Sequence, residues 1–471
     1  MQVKFGTSGL RGLSTELAGL PAALYMTAFC RHLLEQGLAR EGDPILVARD
    51  FRPSSPEIAS ICYGAIQSCG LVAIDCGTLP TPALACKGLA DGCASVMITG
   101  SHIPADRNGI KFYLPSGEID KKDEEALSRW AEKLATTTKV NRTAPNASDE
   151  GATSDLFNKR IRALLPADAL KGMKIGVYQH SSVGRDMLVE CLASYGADVI
   201  PVGRSEAFIP VDTEAVSKDT ISLLEGWAKK HSLDGLVSMD GDADRPLVAD
   251  ETGQPLRGDL LGLVTAKFLG AKLIVTPVTS NSGIEREFGP DVIRTMVGSP
   301  YVIAGMDEAV RDGKTDVVGF EANGGFLTAT PITLEGETLT ALPTRDCFLP
   351  ILATLGLAAK SGKKISELAE DFHLPVAAAE RVTDYAQERS ASLMHYLRAS
   401  RDNLASFLAP VGVPDHLSDI DGLRVTLRDG NVIHFRPSGN APEMRCYVEA
   451  RTEADADRLL TDGLDLIRAY Q

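Results

Sequence analysis

At 471 residues the chain is too long for one ordinary core at about 150 residues per domain, and 44% hydrophobic with 24% charged residues describes a folded globular protein. A formal charge of -15 excludes a cationic nucleic-acid binder or a basic membrane-surface protein. It also repels an anionic ligand, so any phosphate must be captured by local Arg, Lys and backbone N–H groups.

The start, Met1 to Arg11, is polar and lacks the apolar run of a signal peptide. Further on, Ile45-Leu-Val-Ala-Arg-Asp-Phe-Arg-Pro-Ser-Ser55 reads as a strand, a turn with a capping serine, and a helix. The same grammar recurs at Lys174 to Gly184 and at Leu273 to Gly283, and each copy is a plausible opening of a βαβ unit. Each is followed by a second buried-looking strand that runs into a chemically loaded loop: Ser95 to Ser101, Gly235 to Asp240, and Asp316 to Glu321. A degenerate repeat of three α/β domains accounts for this, with ligands expected at loops on the carboxyl ends of parallel strands.

The polar stretch Thr136 to Ser154 is the expected first linker. The tail is built differently. Leu423 to Leu427 and Asn431 to Phe435 flank Arg428-Asp-Gly430, a hairpin signal, before a helical Glu453 to Tyr470, while Ala378 to Gly422 reads as mostly helical. Expected limits are 1–148, 149–254 and 255–370 for three α/β domains and 371–471 for an α+β domain. Nine cysteines without a Cys-x-x-Cys pair suggest neither a disulfide framework nor a zinc site. The longest uncharged apolar stretch, Cys347 to Ala359, falls short of the about 20 residues that span a bilayer, so a cytoplasmic protein without membrane partners is expected.

Four loops carry chemistry. In Thr99-Gly-Ser-His-Ile-Pro-Ala-Asp-Arg-Asn-Gly-Ile-Lys111, a serine after glycine at a strand end suits a nucleophile or phosphoryl carrier, with His102 and Lys111 as proton donors. Residue type alone favours an ordinary turn or helix cap over a catalytic serine, and no Gly-x-Ser-x-Gly elbow of an α/β-hydrolase is present. In Asp240-Gly-Asp-Ala-Asp-Arg245 an extended chain would set the outer carboxylates about 13 Å apart, too wide for one Mg²⁺ with ligands near 2.1 Å. The segment must therefore curl, and crowding three carboxylates implies a hard divalent cation. Asp240, Asp242, Asp244 and Glu251 also match EF-hand positions, but Arg245 replaces the required turn glycine and a strand precedes.

In Phe320-Glu-Ala-Asn-Gly-Gly-Phe326, Glu321 and Asn323 offer the acceptors and donors that grip adjacent sugar hydroxyls, or simply form a glycine-rich hairpin turn. In Arg436-Pro-Ser-Gly-Asn-Ala-Pro-Glu-Met-Arg445, two Arg forks, Ser438 and the N–H groups near Gly439 fit phosphate, or an exposed polar turn.

Together with Phe5-Gly-Thr-Ser-Gly-Leu-Arg-Gly12, these loops resemble the α-D-phosphohexomutase superfamily, in the family's order and over essentially the whole chain. The resemblance implies three related α/β domains with mixed sheets plus a C-terminal α+β domain around a central cleft. It implies a phosphoserine at Ser101 and Mg²⁺ held by Asp240, Asp242, Asp244 and that phosphate. Glu321 would contact sugar hydroxyls, and Arg436, Ser438, Gly439, Asn440 and Arg445 the phosphate that does not react. Arg11, His102, Lys111 and Arg245 match the phosphoryl-transfer site, with Lys111 moving the proton. The implied substrate is a hexose phosphate, interconverted between its 6- and 1-phosphates through a hexose 1,6-bisphosphate by a monomer or homodimer. Phe320 and Asn323 depart from the usual Gly-Glu-x-Ser-Gly, and Asn440 from the usual hydroxyl, so the choice among mannose, glucose and glucosamine phosphates stays open. A metal-dependent sugar phosphatase, which would need a nucleophile motif such as Asp-x-Asp-x-Thr, and a non-catalytic sugar-phosphate sensor are the readings from other classes.

Overall fold

A computed structural model describes residues 3–6, 9–289, 291–334, 336–438 and 442–470. They divide into two compact units, Met1–Ile274 with Gly298–Asp371, and Val275–Val297 with Phe372–Gln471. Among the described residues no helix is long and apolar enough to cross a membrane.

The first unit opens with an eight-stranded mixed sheet. Pro44–Arg49 lies at its centre, parallel to Val72–Thr78 on one side and to Ala94–Ile98 on the other. Its run Ile45-Leu-Val-Ala48 is buried throughout, as expected where both faces of a sheet are covered. The helices Leu20–Glu35 and Ser55–Ser68 supply much of that cover, and Phe29 from the former meets Phe112 with ring centroids 4.9 Å apart. Arg107–Leu114 then pairs antiparallel with Ala94–Ile98, so the Ser101 loop is the tip of a hairpin.

The second α/β layer repeats this plan. Lys174–His180 is parallel to Asp198–Arg204 and to Gly235–Met239, and Pro246–Ala249 turns back antiparallel, making the Asp240 loop a second hairpin tip. Val317–Phe320 and Phe326–Thr328 form a third antiparallel pair around Glu321. All three loops are hairpin tips, and those of Ser101 and Asp240 follow strands that run parallel to a neighbour, Ala94–Ile98 beside Pro44–Arg49 and Gly235–Met239 beside Lys174–His180, as expected for loops at the carboxyl ends of parallel strands.

Two local expectations need correction. Ser54 stands at a helix N-cap but accepts no capping bond. Instead the Asn108 amide donates to Ser54 Oγ at 2.8 Å, and the Ser55 hydroxyl donates to Asp50 at 2.6 Å. The expected linker is also shorter than Thr136 to Ser154, because Ala147–Ser148 joins the first sheet beside Ile74 and Asp75 and a helix begins at Ala152.

The second unit carries a five-stranded antiparallel sheet in the order Val376–Val382, Met444–Ala450, Val432–Pro437, Leu423–Leu427, Pro414–Ser418. Leu423–Leu427 alternates buried and half-buried residues, the pattern of a sheet with one face on a core. Leu393, Leu397, Phe435, Met444 and Ile467 belong to that core, beneath the helices Gln387–Ala399 and Glu453–Ala469. The span expected to be mostly helical is therefore bounded by strands. Val376-Ala-Ala-Ala-Glu-Arg-Val382 favours helix by propensity, and pairing with Met444–Ala450 overrides it. Residues 275–297 cluster with this unit although they lie inside the expected third domain. Asn281 donates to the Pro375 carbonyl at 2.8 Å, Ser282 donates to Glu449, and Val297 N–H donates to Asp421 at 3.0 Å.

Candidate active site

Ser101 is buried, and its backbone is left-handed at φ 53°, which costs a non-glycine residue about 1–2 kcal/mol. That conformation is held from behind by Arg52. Its guanidinium donates to the carbonyls of Ser101 (2.8 Å), Ile103 (2.6 Å), Pro104 (2.7 Å) and Arg107 (2.8 Å), and to Asp50 at 3.1 Å. A Cβ on Gly100 would lie 2.7 Å from the Arg52 guanidinium carbon, so only glycine lets the loop sit this close. Thr99 Oγ1 accepts from the Ser101 N–H at 2.8 Å. Fixed in this way, the Ser101 hydroxyl donates to Asp240 Oδ2 at 2.5 Å and lies 3.2 Å from His102 Nδ1.

The acidic loop does curl. Asp240 N–H donates to the Arg245 carbonyl at 3.1 Å, Ala243 is left-handed at φ 54°, and Asp240 Oδ1 accepts the N–H groups of Asp244 and Arg245. One ligand oxygen from each of Asp240, Asp242 and Asp244 lies within 4.8 Å of the others, and all three residues are buried. Asp242 Oδ1 and Asp244 Oδ1 are buried without a hydrogen-bond partner. Burial, then the neighbouring Asp242 and Asp244, pushes the Asp240 carboxyl well above its ordinary range. Orphaned hard oxygens and mutual repulsion are what a small divalent cation relieves, so the donor set fits Mg²⁺.

Cations surround the acids. The Lys111 ammonium donates to Asp242 Oδ2 and Asp244 Oδ2, both at 2.6 Å. Burial alone would lower its pKa, but those carboxylates outweigh burial and raise it. Asp244 is held below its ordinary range despite burial, by Lys111, Arg345 and Arg245. Arg11 is lowered to about 10, first by burial and then by Arg245. His102 is lowered to about 3 by burial and by Arg245, whose Nη1 is 3.1 Å from its Nδ1, so it is neutral. In a chain of charge -15, four cations (Arg11, Lys111, Arg245, Arg345) are gathered here among the three aspartates and Glu321, supplying local positive charge that an anion can use.

The Glu321 loop closes on itself. Glu321 N–H donates to the Gly325 carbonyl at 3.2 Å, and Asn323 Oδ1 accepts the Gly325 N–H at 2.9 Å. The Asn323 oxygen thus serves the turn. Glu321 Oε2 accepts from Arg345 at 2.6 Å.

Ser101, His102, Lys111, Arg245, the three aspartates and Glu321 all belong to the first unit, as does Arg11. Arg436, Ser438 and Arg445 belong to the second. Arg436 Nε lies 2.9 Å from Asp421 Oδ2 without the alignment of a hydrogen bond, and Arg445 donates to Glu443 at 2.8 Å. Gly439 and Asn440 lie outside the described residues.

Comparison with known proteins follows the same four-part order. The family profiles described as phosphoglucomutase/phosphomannomutase match as α/β/α domain I at residues 2–138, domain II at 155–253, domain III at 257–374 and the C-terminal domain at 387–465. A phosphomannomutase of Sinorhizobium fredii is 54% identical, with 100% of this chain and 99% of the relative covered. The chain belongs to the phosphoglucomutase/phosphomannomutase family. A phosphomannomutase of Salmonella muenchen is 40% identical over 99% of this chain and 96% of the relative. The crystal structure of a phosphoglucomutase/phosphomannomutase family protein from Burkholderia thailandensis shares the fold, with TM-score 0.76 and 19% identity, covering 98% of this chain and 97% of that one. The activity is that of a phosphohexomutase, an intramolecular phosphotransferase, on a multi-domain α/β fold.

Within this family frame, sequence reasoning missed three residues. Thr81 donates to Asp242 Oδ2 at 2.5 Å, Arg52 braces the Ser101 loop, and Arg345 joins the acidic and Glu321 loops. The proline-flanked Thr81 and the Asp50-x-Arg52 pair at a strand end were visible signals. Arg345 gave none.

Proposed function

We propose that the chain interconverts the 6- and 1-phosphates of mannose and glucose through a phosphoserine at Ser101. The observation that carries this reading is the Ser101 hydroxyl at 2.5 Å from Asp240, on a loop too constrained to turn away and beside the cations Arg11, Lys111, Arg245 and Arg345.

The 1-hydroxyl of a hexose 6-phosphate attacks the phosphorus of phospho-Ser101. The O1–P bond forms as the Oγ–P bond breaks, leaving free Ser101 and a hexose 1,6-bisphosphate. Lys111, protonated between Asp242 and Asp244, gives a proton to the departing seryl oxygen and is restored by the proton that the hydroxyl loses. The bisphosphate turns end for end, and Ser101 Oγ attacks its 6-phosphoryl group so that the Oγ–P bond forms as the O6–P bond breaks. Lys111 gives a proton to O6 and is restored by the seryl proton, and hexose 1-phosphate leaves. Arg11, Arg245 and neutral His102 orient the reacting phosphoryl, so alignment carries much of the catalysis. Glu321 and Asn323 hold sugar hydroxyls. Arg436, Ser438, Gly439, Asn440 and Arg445 hold the phosphate that is not reacting. Asp240, Asp242 and Asp244, with the Ser101 phosphate, would hold Mg²⁺, which supplies positive charge to a transition state rich in negative oxygen.

The reading keeps domain limits after residues 148, 254 and 370 and a cytoplasmic enzyme, monomeric or homodimeric. Nine unpaired cysteines support a reducing compartment. The test supplies Mg²⁺, a trace of the matching 1,6-bisphosphate and, in turn, mannose, glucose and glucosamine 1-phosphates. We expect conversion of the first two to 6-phosphates without release of inorganic phosphate, and loss of turnover by orders of magnitude in Ser101→Ala. Net phosphate release, preference for the glucosamine compound, or an active Ser101→Ala overturns the reading.

A further inference from the structure

Arg345 is 2% exposed and joins two loops that lie far apart in sequence. Its Nε donates to Glu321 Oε2 at 2.6 Å and its Nη1 to Asp244 Oδ2 at 3.3 Å. The strand that carries it, Leu342–Asp346, pairs Asp346 with Phe326 but Leu342 with Thr328, so the register shifts beside Arg345. Such a bulge re-aims a side chain. On the neighbouring residue, Thr344 Oγ1 donates to Glu118 at 2.6 Å, a second anchor for the strand beside Arg345. The Arg345 stem runs under the Glu321 loop: a Cβ on Gly325 would lie 2.5 Å from Arg345 Cδ and 2.8 Å from Cγ. The loop glycine and the arginine are therefore sterically matched.

We propose that Arg345 is a positioning and specificity-determining residue. It fixes one oxygen of Glu321 and turns the other, Oε1, toward the sugar, while its second bond holds that acceptor in register with the phosphoryl-transfer loop at Asp244. A carboxylate free to rotate would present either oxygen to either epimer, whereas one clamped by a planar guanidinium presents a single acceptor in a single direction. Arg345 thereby sharpens discrimination at the sugar ring without touching the substrate. The inference rests on the reading of Glu321 as a sugar-hydroxyl contact.

The experiment compares Arg345→Lys, Arg345→Met, Glu321→Gln and the double variant Arg345→Met/Glu321→Gln, using kcat/KM for mannose 1-phosphate and glucose 1-phosphate and, separately, calorimetric affinity for each hexose 6-phosphate. For Arg345→Met we expect kcat/KM for the better hexose to fall about 10- to 100-fold, the loss of a hydrogen bond between charged groups, and the ratio between the two sugars to move toward one. The double variant should lose no more than the worse single variant. Arg345→Lys keeps the charge and tests the proposal even where the Met variant does not fold: it should retain turnover but narrow the ratio. An unchanged ratio and unchanged affinities in Arg345→Lys, or additive losses in the double variant, overturn the proposal. Wild-type values in Glu321→Gln would instead remove Glu321 from sugar recognition.

Discussion

The two units handle charge differently. In the first, Asp244 and Arg345 are nearly inaccessible and each of Asp240, Asp242 and Asp244 is tied to a cation or to the serine, so the site is built before any ligand arrives. In the second, the Arg436 and Arg445 side chains keep 16% and 37% of their exposure, and each already leans on an acid of its own unit, Asp421 or Glu443. A buried charge that loses its partner costs several kcal/mol, whereas an exposed pair contributes about 0–1 kcal/mol. Fixed charge suits chemistry, and exchangeable charge suits a phosphate that must be gripped and released.

Substitutions should therefore separate the units by size and kind of effect. The largest loss of stability is expected from Arg52→Met, which strands Asp50 and four carbonyls behind Ser101: about 3–5 kcal/mol by urea unfolding. A loss below about 1 kcal/mol would mean that the Ser101 loop holds itself.

Acid comes next, and it should strike both units alike. Burial pushes His180 in the first unit and His434 in the second down to about 4. Between about 6.5 and 4 the unfolded chain binds protons that the folded chain refuses, so stability is intact above that window and falls as pH drops through it, by roughly 3 kcal/mol per histidine. Chemical unfolding at stepped pH measures this, and a flat profile would deny that these histidines are neutral when folded.

The smallest effect belongs to the second unit. Arg436→Ala should raise KM for hexose phosphate about 10-fold or more with kcat changed only slightly, if the arginine holds the end that does not react, as proposed above. A matching fall in kcat with KM unmoved would place Arg436 in the chemistry and erase the contrast.

What the sequence disclosed follows from the range of each interaction. The curl of Asp240 to Asp244, the hairpin at Arg428 to Gly430 and the strand-end turn that carries Ser101 are local, and spacing with small residues reveals them. Arg52, Thr81 and Arg345 act on partners 49, 161 and 101 residues away, and no window along the chain contains both ends. The alanine-rich strand Val376–Val382 failed for the same reason, since its partner strand lies at Met444–Ala450. Ser54 misled because a cap and a buried network call for the same hydroxyl.

The central claim is that Ser101 carries the phosphoryl group. Incubating wild-type protein with glucose 1,6-bisphosphate and Mg²⁺, then mapping the phosphorylated peptide by mass spectrometry, tests it directly. We predict one added phosphoryl group, on Ser101, that is discharged on addition of hexose 6-phosphate and absent from Ser101→Ala. An active enzyme that carries no phosphoryl group, or carries it on another residue, would contradict the account.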